Sequence, residues 1–245
     1  THSNLVWVMA LPILLLLGED ILVRRRRSPW RAGALLGLVL GLQLLVTEEY
    51  AVYQVLALAL GGVLVAARYW RQVPAHAPHV VRAVAAGLVV ALLIAGGPLA
   101  HQFFGPRAVT HGVLQPTEAL SADVLAFVVP TEFQQLTPAW AGDVTSGFTD
   151  ACCVEEWGSY LGAGLLVLMV VAAVRWRRRA IVLVPSLVGA VFLVLSMGSR
   201  LHLDGSITFV PLPFAWFDSL PVVGNVNIRR LELETWLEAA IIVAV

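Results

Sequence analysis

The 245-residue chain is too apolar and too poor in charge for an ordinary soluble domain: 59% of its residues are hydrophobic, 13% are charged, and the mean hydropathy is +0.83. Soluble domains are about 45–50% apolar and about 25% charged. The formal net charge is zero, so overall charge gives no support for a polyanionic partner such as nucleic acid.

The hydrophobic residues are concentrated in runs of about 15–20 residues, close to the length that a helix needs to cross about 30 Å of hydrocarbon. The runs predict an all-α membrane protein with about seven transmembrane helices, in which residues 1–245 form a single transmembrane domain. The chain begins with Thr1 rather than Met and its last span is cut short, so we expect a fragment of a longer protein. The predicted spans are residues 5–23, 32–46, 51–67, 80–100, 158–174, 180–198 and 231–245.

The arginines predict how these spans are oriented. Twelve of the sixteen lie in or at the edge of the connections between spans one and two, three and four, and five and six, and these connections alternate onto one side of the membrane. Positively charged connections are retained in the cytoplasm, so this side is predicted to be cytoplasmic and the N-terminus of the chain to be outside. The arginine clusters are short and lie directly against apolar spans, which favours membrane anchoring and contacts with anionic lipids over nucleic-acid binding.

Two long connections are predicted on the opposite, extracytoplasmic side: residues 101–157 and residues 199–230. Long loops are usually functional or disordered, and the many apolar and aromatic residues in these two favour ordered loops. In the first loop, residues 119–129 are predicted to form a helix that Pro130 ends. In the second loop, residues 207–220 combine prolines with Phe and Trp, which predicts a segment lying in the outer headgroup layer.

Two cysteines, Cys152 and Cys153, are adjacent in the first outer loop. Adjacent cysteines rarely form a disulfide because the geometry strains the peptide between them, and no metal-ligand spacing surrounds this pair. We expect two ordinary loop residues, with a vicinal disulfide or a link to another chain as the alternatives.

Several ionisable residues lie in or near the predicted spans, where an uncompensated charge is costly and therefore marks a candidate site. Glu48 and Glu49 occupy the outer turn between spans two and three. They are either the polar residues of a tight hairpin or a paired-carboxylate site for a cation or a catalytic base. Asp20 is four residues before Arg24, which predicts an ion pair along one helix face. Three glutamates near the outer end of span seven are predicted to face a protein interior or a wet cavity: Glu232, Glu234 and Glu238.

Four arginines depart from the charge asymmetry: Arg107 lies in the first outer loop, and Arg200, Arg229 and Arg230 lie at the two ends of the second. At headgroup height, the planar guanidinium groups of the latter three would match the phosphate of a lipid-linked substrate. Salt bridges to the acidic first loop and contacts with ordinary lipid headgroups are the alternatives. His202 and Asp204 share this segment and complete the predicted substrate-binding and phosphate-binding residues, and no metal site is predicted.

Several segments of the chain resemble glycosyltransferases of the GT-C superfamily, which are large polytopic membrane proteins. They are residues 198–205 (Gly-Ser-Arg-Leu-His-Leu-Asp-Gly), 211–214 (Pro-Leu-Pro-Phe), 220–221 (Leu-Pro), 229–230 (Arg-Arg), 41–49 (Gly-Leu-Gln-Leu-Leu-Val-Thr-Glu-Glu) and 160–167 (Tyr-Leu-Gly-Ala-Gly-Leu-Leu-Val). The resemblance covers most of this chain but only the middle of a typical member. The heavy use of Ala, Val, Leu and Gly, with Arg in place of Lys, is typical of a high-GC bacterial genome such as that of an actinobacterium.

The resemblance implies that the protein, or a longer protein containing it, moves a sugar from a polyprenyl-phosphate donor on the outer face of the bacterial plasma membrane. The implied partners are membrane lipids, a polyprenyl-phosphate-linked sugar and other membrane subunits. The candidate cofactor is a divalent cation beside Glu48 or Glu49. The catalytic carboxylate of such enzymes usually lies in a first outer loop that would precede Thr1, which leaves Glu48 and Glu49 as weaker candidates for the base. The alternative functions are a transporter or flippase for a lipid-linked precursor and a non-catalytic subunit of a membrane assembly.

Overall fold

The computed structural model of the protein describes residues 9–106, 117–132, 134–148, 159–218, 220 and 226–245. The described residues are mostly helical, as the apolar runs predict. The chain divides into two compact units, Thr1–Gly112 and Val113–Val245, and each unit has its own set of buried apolar residues.

In its described residues, the first unit consists of four α-helices joined by short connections. Ser28 begins the second helix as its N-cap, because its Oγ accepts a hydrogen bond from the Arg31 backbone N at 3.4 Å. Pro29 follows in the first turn, where a missing N–H costs nothing. The single extended residue Thr47 separates the second helix from the third. The helices are α1 (Ala10–Glu19), which continues as a π-helical turn over Asp20–Arg24, α2 (Pro29–Val46), α3 (Glu48–Arg68) and α4 (Val73–Phe104).

Three helical segments among the described residues are long and apolar enough to cross a membrane: Pro29–Val46, Glu48–Arg68 and Trp70–Phe104. They contain the second, third and fourth predicted spans, which makes the chain a membrane protein by the length and composition of these helices. The other four predicted spans coincide with shorter helices, and residues 5–8 of the first span lie outside the described residues. A total of seven spans therefore stays a prediction.

Small residues allow α2 and α4 to form the most extensive helix pair of the first unit. Three glycines of α2, Gly33, Gly37 and Gly41, are spaced four residues apart and approach α4. A Cβ atom added to Gly33 or Gly37 would lie 2.0 or 2.1 Å from the backbone O of Ala83 or Gly87, so any side chain there would force the helices apart. Close packing of small residues is how helices associate in lipid, where the hydrophobic effect does not draw them together.

The end of α1 corrects the predicted ion pair between Asp20 and Arg24. Arg24 Nη2 lies 2.8 Å from Glu19 Oε1, and the buried Asp20 binds residues further along the chain. Asp20 Oδ1 accepts a hydrogen bond from the Arg26 backbone N at 2.8 Å, and Asp20 Oδ2 lies 2.8 Å from Arg27 Nη1. The prediction is wrong because it assumes a regular α-helix, whereas the chain widens into a π-helical turn and the next residue adopts a left-handed φ of +50°.

The second unit contains short helical turns, a β-hairpin and longer helices among its described residues. Its α-helices are α5 (Ala139–Thr145), α6 (Ala163–Arg175), α7 (Ala180–Ser196) and α8 (Glu232–Ala244). The most extensive helix pair of this unit is α7 with α8. Four 3-10 turns complete it: Glu118–Leu120, Val124–Phe127, Pro213–Trp216 and Ile228–Leu231.

A two-stranded antiparallel hairpin within residues 199–230 is the main departure from the predicted all-α fold. The strands are β1 (Arg200–Leu203) and β2 (Ser206–Pro211). His202 pairs with Ile207, and Asp204 and Gly205 form the connecting turn with φ values of +52° and +73°. Asp-Gly is a preferred pair for turns that need positive φ at both central positions. The sequence therefore contains a hairpin signal at Asp204 and Gly205, which a prediction based on long apolar runs does not use.

The helix predicted over residues 119–129 is also wrong. Two 3-10 turns, Glu118–Leu120 and Val124–Phe127, occupy this segment, with extended backbone at Asp123 between them. The Asp123 side chain accepts a hydrogen bond from the Leu125 backbone N at 2.8 Å. A side chain that binds nearby backbone in this way competes with a continuous α-helix and begins a new turn.

Candidate functional site

Three ionisable side chains of the second unit meet beside the hairpin, and we call them the Glu118 cluster: Glu118, Arg200 and His202. Glu118 begins a 3-10 turn, and the other two residues lie on β1. His202 Nε2 is 3.1 Å from Glu118 Oε2, and Arg200 Nε is 3.7 Å from Glu118 Oε1. One carboxylate therefore contacts both basic side chains, each through a different oxygen.

The members of the Glu118 cluster differ in their exposure to solvent. The side chain of His202 is 6% exposed, that of Glu118 is 41% exposed and that of Arg200 is 62% exposed. The imidazole thus lies inside, while the carboxylate and the guanidinium reach the surface. Within the described residues, the ion pair of Arg200 is a long one made by Nε, so its two terminal NH₂ groups can bind an incoming oxyanion.

Asp123 fixes the hairpin against the segment that carries Glu118. Asp123 is 0% exposed, and its backbone forms a parallel β-bridge with His202. One carboxylate oxygen accepts a hydrogen bond from the Leu125 N at 2.8 Å, and the other accepts one from the Gly205 N at 2.9 Å. A buried carboxylate is costly unless it is hydrogen-bonded, and both oxygens are bonded here. Asp123 is therefore a positioning residue for His202.

A second set of contacts holds the base of the hairpin. Gly198 has a φ of +85°, and a Cβ atom there would lie 1.9 Å from Ser121 Oγ. Glycine adopts this conformation without strain and also permits the close approach. The Ser121 backbone O accepts a hydrogen bond from Arg229 Nη2, and the Ala122 N donates one to the Ser196 O at 3.0 Å. The hairpin is therefore anchored at both its turn and its base.

Two of the predicted phosphate-binding residues, Arg200 and His202, are brought together in the Glu118 cluster. Asp204 is exposed at the hairpin turn. From the sequence, Glu118 is only part of the acidic first loop, because it lies 84 residues before His202 and only the folded chain joins them.

The other two predicted phosphate-binding residues, Arg229 and Arg230, lie in the 3-10 turn before α8. Arg229 is 4% exposed, and its Nη2 donates to the Ser121 backbone O, so its contact in this structure is with the protein itself. Arg230 is half-buried. Of the three arginines predicted to bind phosphate, Arg200 is therefore the one whose side chain is mostly exposed.

The two weaker candidates for a catalytic base lie in the first unit, at the beginning of α3. Glu49 Oε1 accepts a hydrogen bond from Tyr53 Oη at 2.8 Å, and Glu48 Oε2 accepts one from Gln102 Nε2 at 2.8 Å. Carboxylates in the first turn also interact favourably with the helix dipole. In the part of the chain that the structure describes, no group of three or more His, Cys, Asp or Glu side chains could hold a metal ion.

Three glutamates of α8 are buried, as the sequence predicts: Glu232, Glu234 and Glu238 are 6%, 2% and 3% exposed. Ser159 Oγ donates a hydrogen bond to Glu232 Oε1 at 2.6 Å. Glu234 Oε2 has no hydrogen-bond partner among the described residues. Glu238 packs against α7, where a Cβ atom added to Gly189 would lie 3.2 Å from Glu238 Cβ. These three carboxylates form a group of buried acidic side chains on α8, and none of them belongs to the Glu118 cluster.

Aromatic side chains are exposed on the hairpin and in the 3-10 turn that follows it. Phe209 on β2 is 95% exposed, and Trp216 in the following 3-10 turn is 79% exposed. Exposed aromatic residues are what a segment in the headgroup layer presents to lipid, although that location stays a prediction. Cys152 and Cys153 lie outside the described residues.

Comparison with known proteins assigns the chain to a family. No curated protein and no solved structure matches it. A family model described as a domain of unknown function, DUF6311, matches residues 7–221, which is most of the chain. The protein therefore belongs to the DUF6311 family.

Proposed function

We propose that the protein is a GT-C-like membrane glycosyltransferase, or part of one, that moves a sugar from a polyprenyl-phosphate donor on the outer face of the bacterial plasma membrane. The observation that carries the proposal is the exposed guanidinium of Arg200 beside the carboxylate of Glu118. A guanidinium recognises phosphate through a planar fork of donors, and a carboxylate accepts a proton from an attacking hydroxyl. The membrane-spanning helices and the resemblance of residues 198–205 to GT-C enzymes support a lipid-linked donor.

In the proposed reaction, Arg200 holds the phosphate that joins the sugar to the polyprenyl chain. A hydroxyl of the acceptor attacks the anomeric carbon and loses its proton to a carboxylate. The bond between that carbon and the phosphate oxygen breaks, its electron pair stays on the oxygen, and polyprenyl phosphate leaves. The guanidinium offsets the negative charge that develops on the leaving oxygen, which is the interaction that accelerates the step.

Glu118 takes the role of the base in this proposal, because it is the carboxylate beside Arg200. His202 lies behind it with Nε2 3.1 Å from Glu118 Oε2 and orients the carboxylate. Glu48 and Glu49, the candidates taken from the sequence, belong to the first unit and have partners there.

Sugar transfer by the purified protein reconstituted in liposomes tests the proposed function. The full-length protein is placed in liposomes with radiolabelled decaprenyl-phosphate or undecaprenyl-phosphate sugars and a membrane extract as the source of acceptors. We expect protein-dependent movement of label to an acceptor, with free polyprenyl phosphate as the second product, and loss of this movement in Glu118→Gln. Liposomes that transfer no label from any of these donors would argue against a glycosyltransferase.

A second candidate function, movement of a lipid-linked precursor across the membrane, is favoured by the buried carboxylates of α8. Ionisable groups within a membrane domain often mark a transport path or a proton relay. The same liposomes separate the two functions, because a flippase exposes the intact labelled donor to the opposite leaflet and releases no polyprenyl phosphate. A non-catalytic subunit would do neither.

A further inference from the structure

The first unit contains a groove that its own side chains leave unfilled. Its volume is about 680 Å³, and its wall is formed by apolar residues from all four helices, among them Ile21, Leu40, Leu58 and Val84. Volumes of about 300–1,000 Å³ are typical of sites that hold small ligands. The surrounding helices α2, α3 and α4 are those long and apolar enough to cross a membrane.

We propose that this groove binds one hydrocarbon chain of an anionic phospholipid, whose phosphate is held by Arg68 and Arg71. The lining is apolar along most of its length, and its polar members, Tyr69 and His76, lie where α3 ends and α4 begins. A ligand that fits this lining has a long apolar part and a polar group at one end.

Positive charge is concentrated at that same end of the groove. The guanidinium carbon of Arg68 lies 5.4 Å from the ring centroid of Tyr69, a lining residue, and that of Arg71 lies 5.3 Å from the ring centroid of Trp70. The ion pairs found among the described residues involve neither Arg68 nor Arg71. An anionic headgroup would neutralise these charges, and each arginine near an anionic lipid contributes about 1 kcal/mol, or about fivefold in affinity.

The distribution of charge favours a lipid chain over a helix of another protein. An anionic phospholipid has a long apolar part and one charged end, which matches an apolar groove with Arg68 and Arg71 near one end. A hydrocarbon chain is also thinner than a helix of about 10 Å diameter and follows an irregular wall.

The glycines of the first unit supply a filling variant and a matched control. A Cβ atom added to Gly62, which lines the groove, would meet Leu22 Cδ1 at 3.7 Å, an ordinary contact, so Gly62→Leu adds a side chain at the wall of the groove with no clash at its Cβ. A Cβ atom added to Gly97 of α4 would meet nothing within 4 Å, and Gly97 lies outside the groove. Gly97→Leu therefore adds the same side chain where no lipid site is proposed.

Native mass spectrometry of the purified full-length protein in detergent tests the groove. Phosphatidylglycerol and phosphatidylcholine with the same acyl chains are added separately. We expect one retained phosphatidylglycerol per protein, loss of that adduct in Gly62→Leu, and no change in Gly97→Leu. Equal retention in wild type and Gly62→Leu, with both proteins folded, would overturn the assignment of the groove.

A charge variant tests the headgroup without filling the groove. Replacing Arg68 and Arg71 by Gln is expected to weaken phosphatidylglycerol binding about 30-fold and to weaken phosphatidylcholine binding much less, because the choline of that lipid already balances the charge of its phosphate. Replacing Arg177 and Arg178, which lie between α6 and α7, by Gln is the control and should have no effect. Equal binding of the two lipids by the wild type, or displacement of phosphatidylglycerol by equimolar undecaprenyl phosphate, would contradict an anionic phospholipid as the occupant.

Discussion

Replacing Arg200 by Ala is expected to lower sugar transfer at least about 100-fold, since removing one preorganised donor to a developing negative charge typically costs about 10²–10³ in kcat. Arg200 is mostly exposed, so its loss should not unfold the protein. Arg200→Lys should restore only part of the activity, because an ammonium keeps the charge and loses the planar fork. Turnover of the radiolabelled donor in liposomes provides the measurement.

The control for Arg200 is another exposed arginine remote from it in the chain. Arg177 lies between α6 and α7 and outside the Glu118 cluster, so Arg177→Ala should transfer sugar at the wild-type rate. Wild-type turnover in Arg200→Ala, or an equal loss in Arg177→Ala, would remove Arg200 from the site.

Replacing Gly37 by Ala is expected to destabilise the first unit by about 1–3 kcal/mol, the usual scale for overpacking a tightly packed position. The added Cβ would lie 2.1 Å from the Gly87 backbone O, and a carbonyl oxygen in a helix cannot turn aside as a flexible side chain can. The helices α2 and α4 must therefore separate. The loss of helical circular dichroism on heating in detergent gives the unfolding midpoint, which should fall.

Gly96→Ala is the matched control for Gly37→Ala and should change stability in the opposite direction. A Cβ atom at Gly96 of α4 would meet Leu92 Cβ at 4.0 Å, an ordinary contact, and alanine favours a helix over glycine by about 1 kcal/mol. The same substitution on two helices of one unit thus separates helix propensity from packing. A midpoint for Gly37→Ala at or above that of the wild type would show that α2 and α4 do not approach as described.

The apolar runs were enough to predict the long helices of the first unit, because a run of this length has few other ways to satisfy its backbone. The glycine spacing of α2 was visible in the sequence, but its partner was not, since the contact of Gly33 with Ala83 joins positions fifty residues apart. The predicted ion pair between Asp20 and Arg24 is wrong for a local reason. It assumed α-helical side-chain positions, and the helix changes to a π-helical turn at Asp20.

The candidate site was only partly visible in the sequence. Arg200 was identified because it lies on the side of the predicted topology where arginine is rare, and His202 because it shares that segment. Glu118 and Asp123 were missed as site residues, since their roles depend on the folding of one loop against the hairpin of another. Arg229 was predicted to bind a phosphate, but it is buried and donates a hydrogen bond to the Ser121 backbone O. Sequence spacing cannot predict this contact, because it forms only when distant parts of the chain pack together.

Photo-labelling tests most directly whether the Glu118 cluster is where the donor's phosphate binds. A polyprenyl phosphate carrying a diazirine next to the phosphate is irradiated with the full-length protein in liposomes, and the labelled peptides are identified by mass spectrometry. We expect label within residues 117–127 and 198–206, suppressed by unlabelled polyprenyl phosphate and much reduced in Arg200→Ala. Label confined to the first unit, or label in these segments that excess ligand does not suppress, would contradict the site.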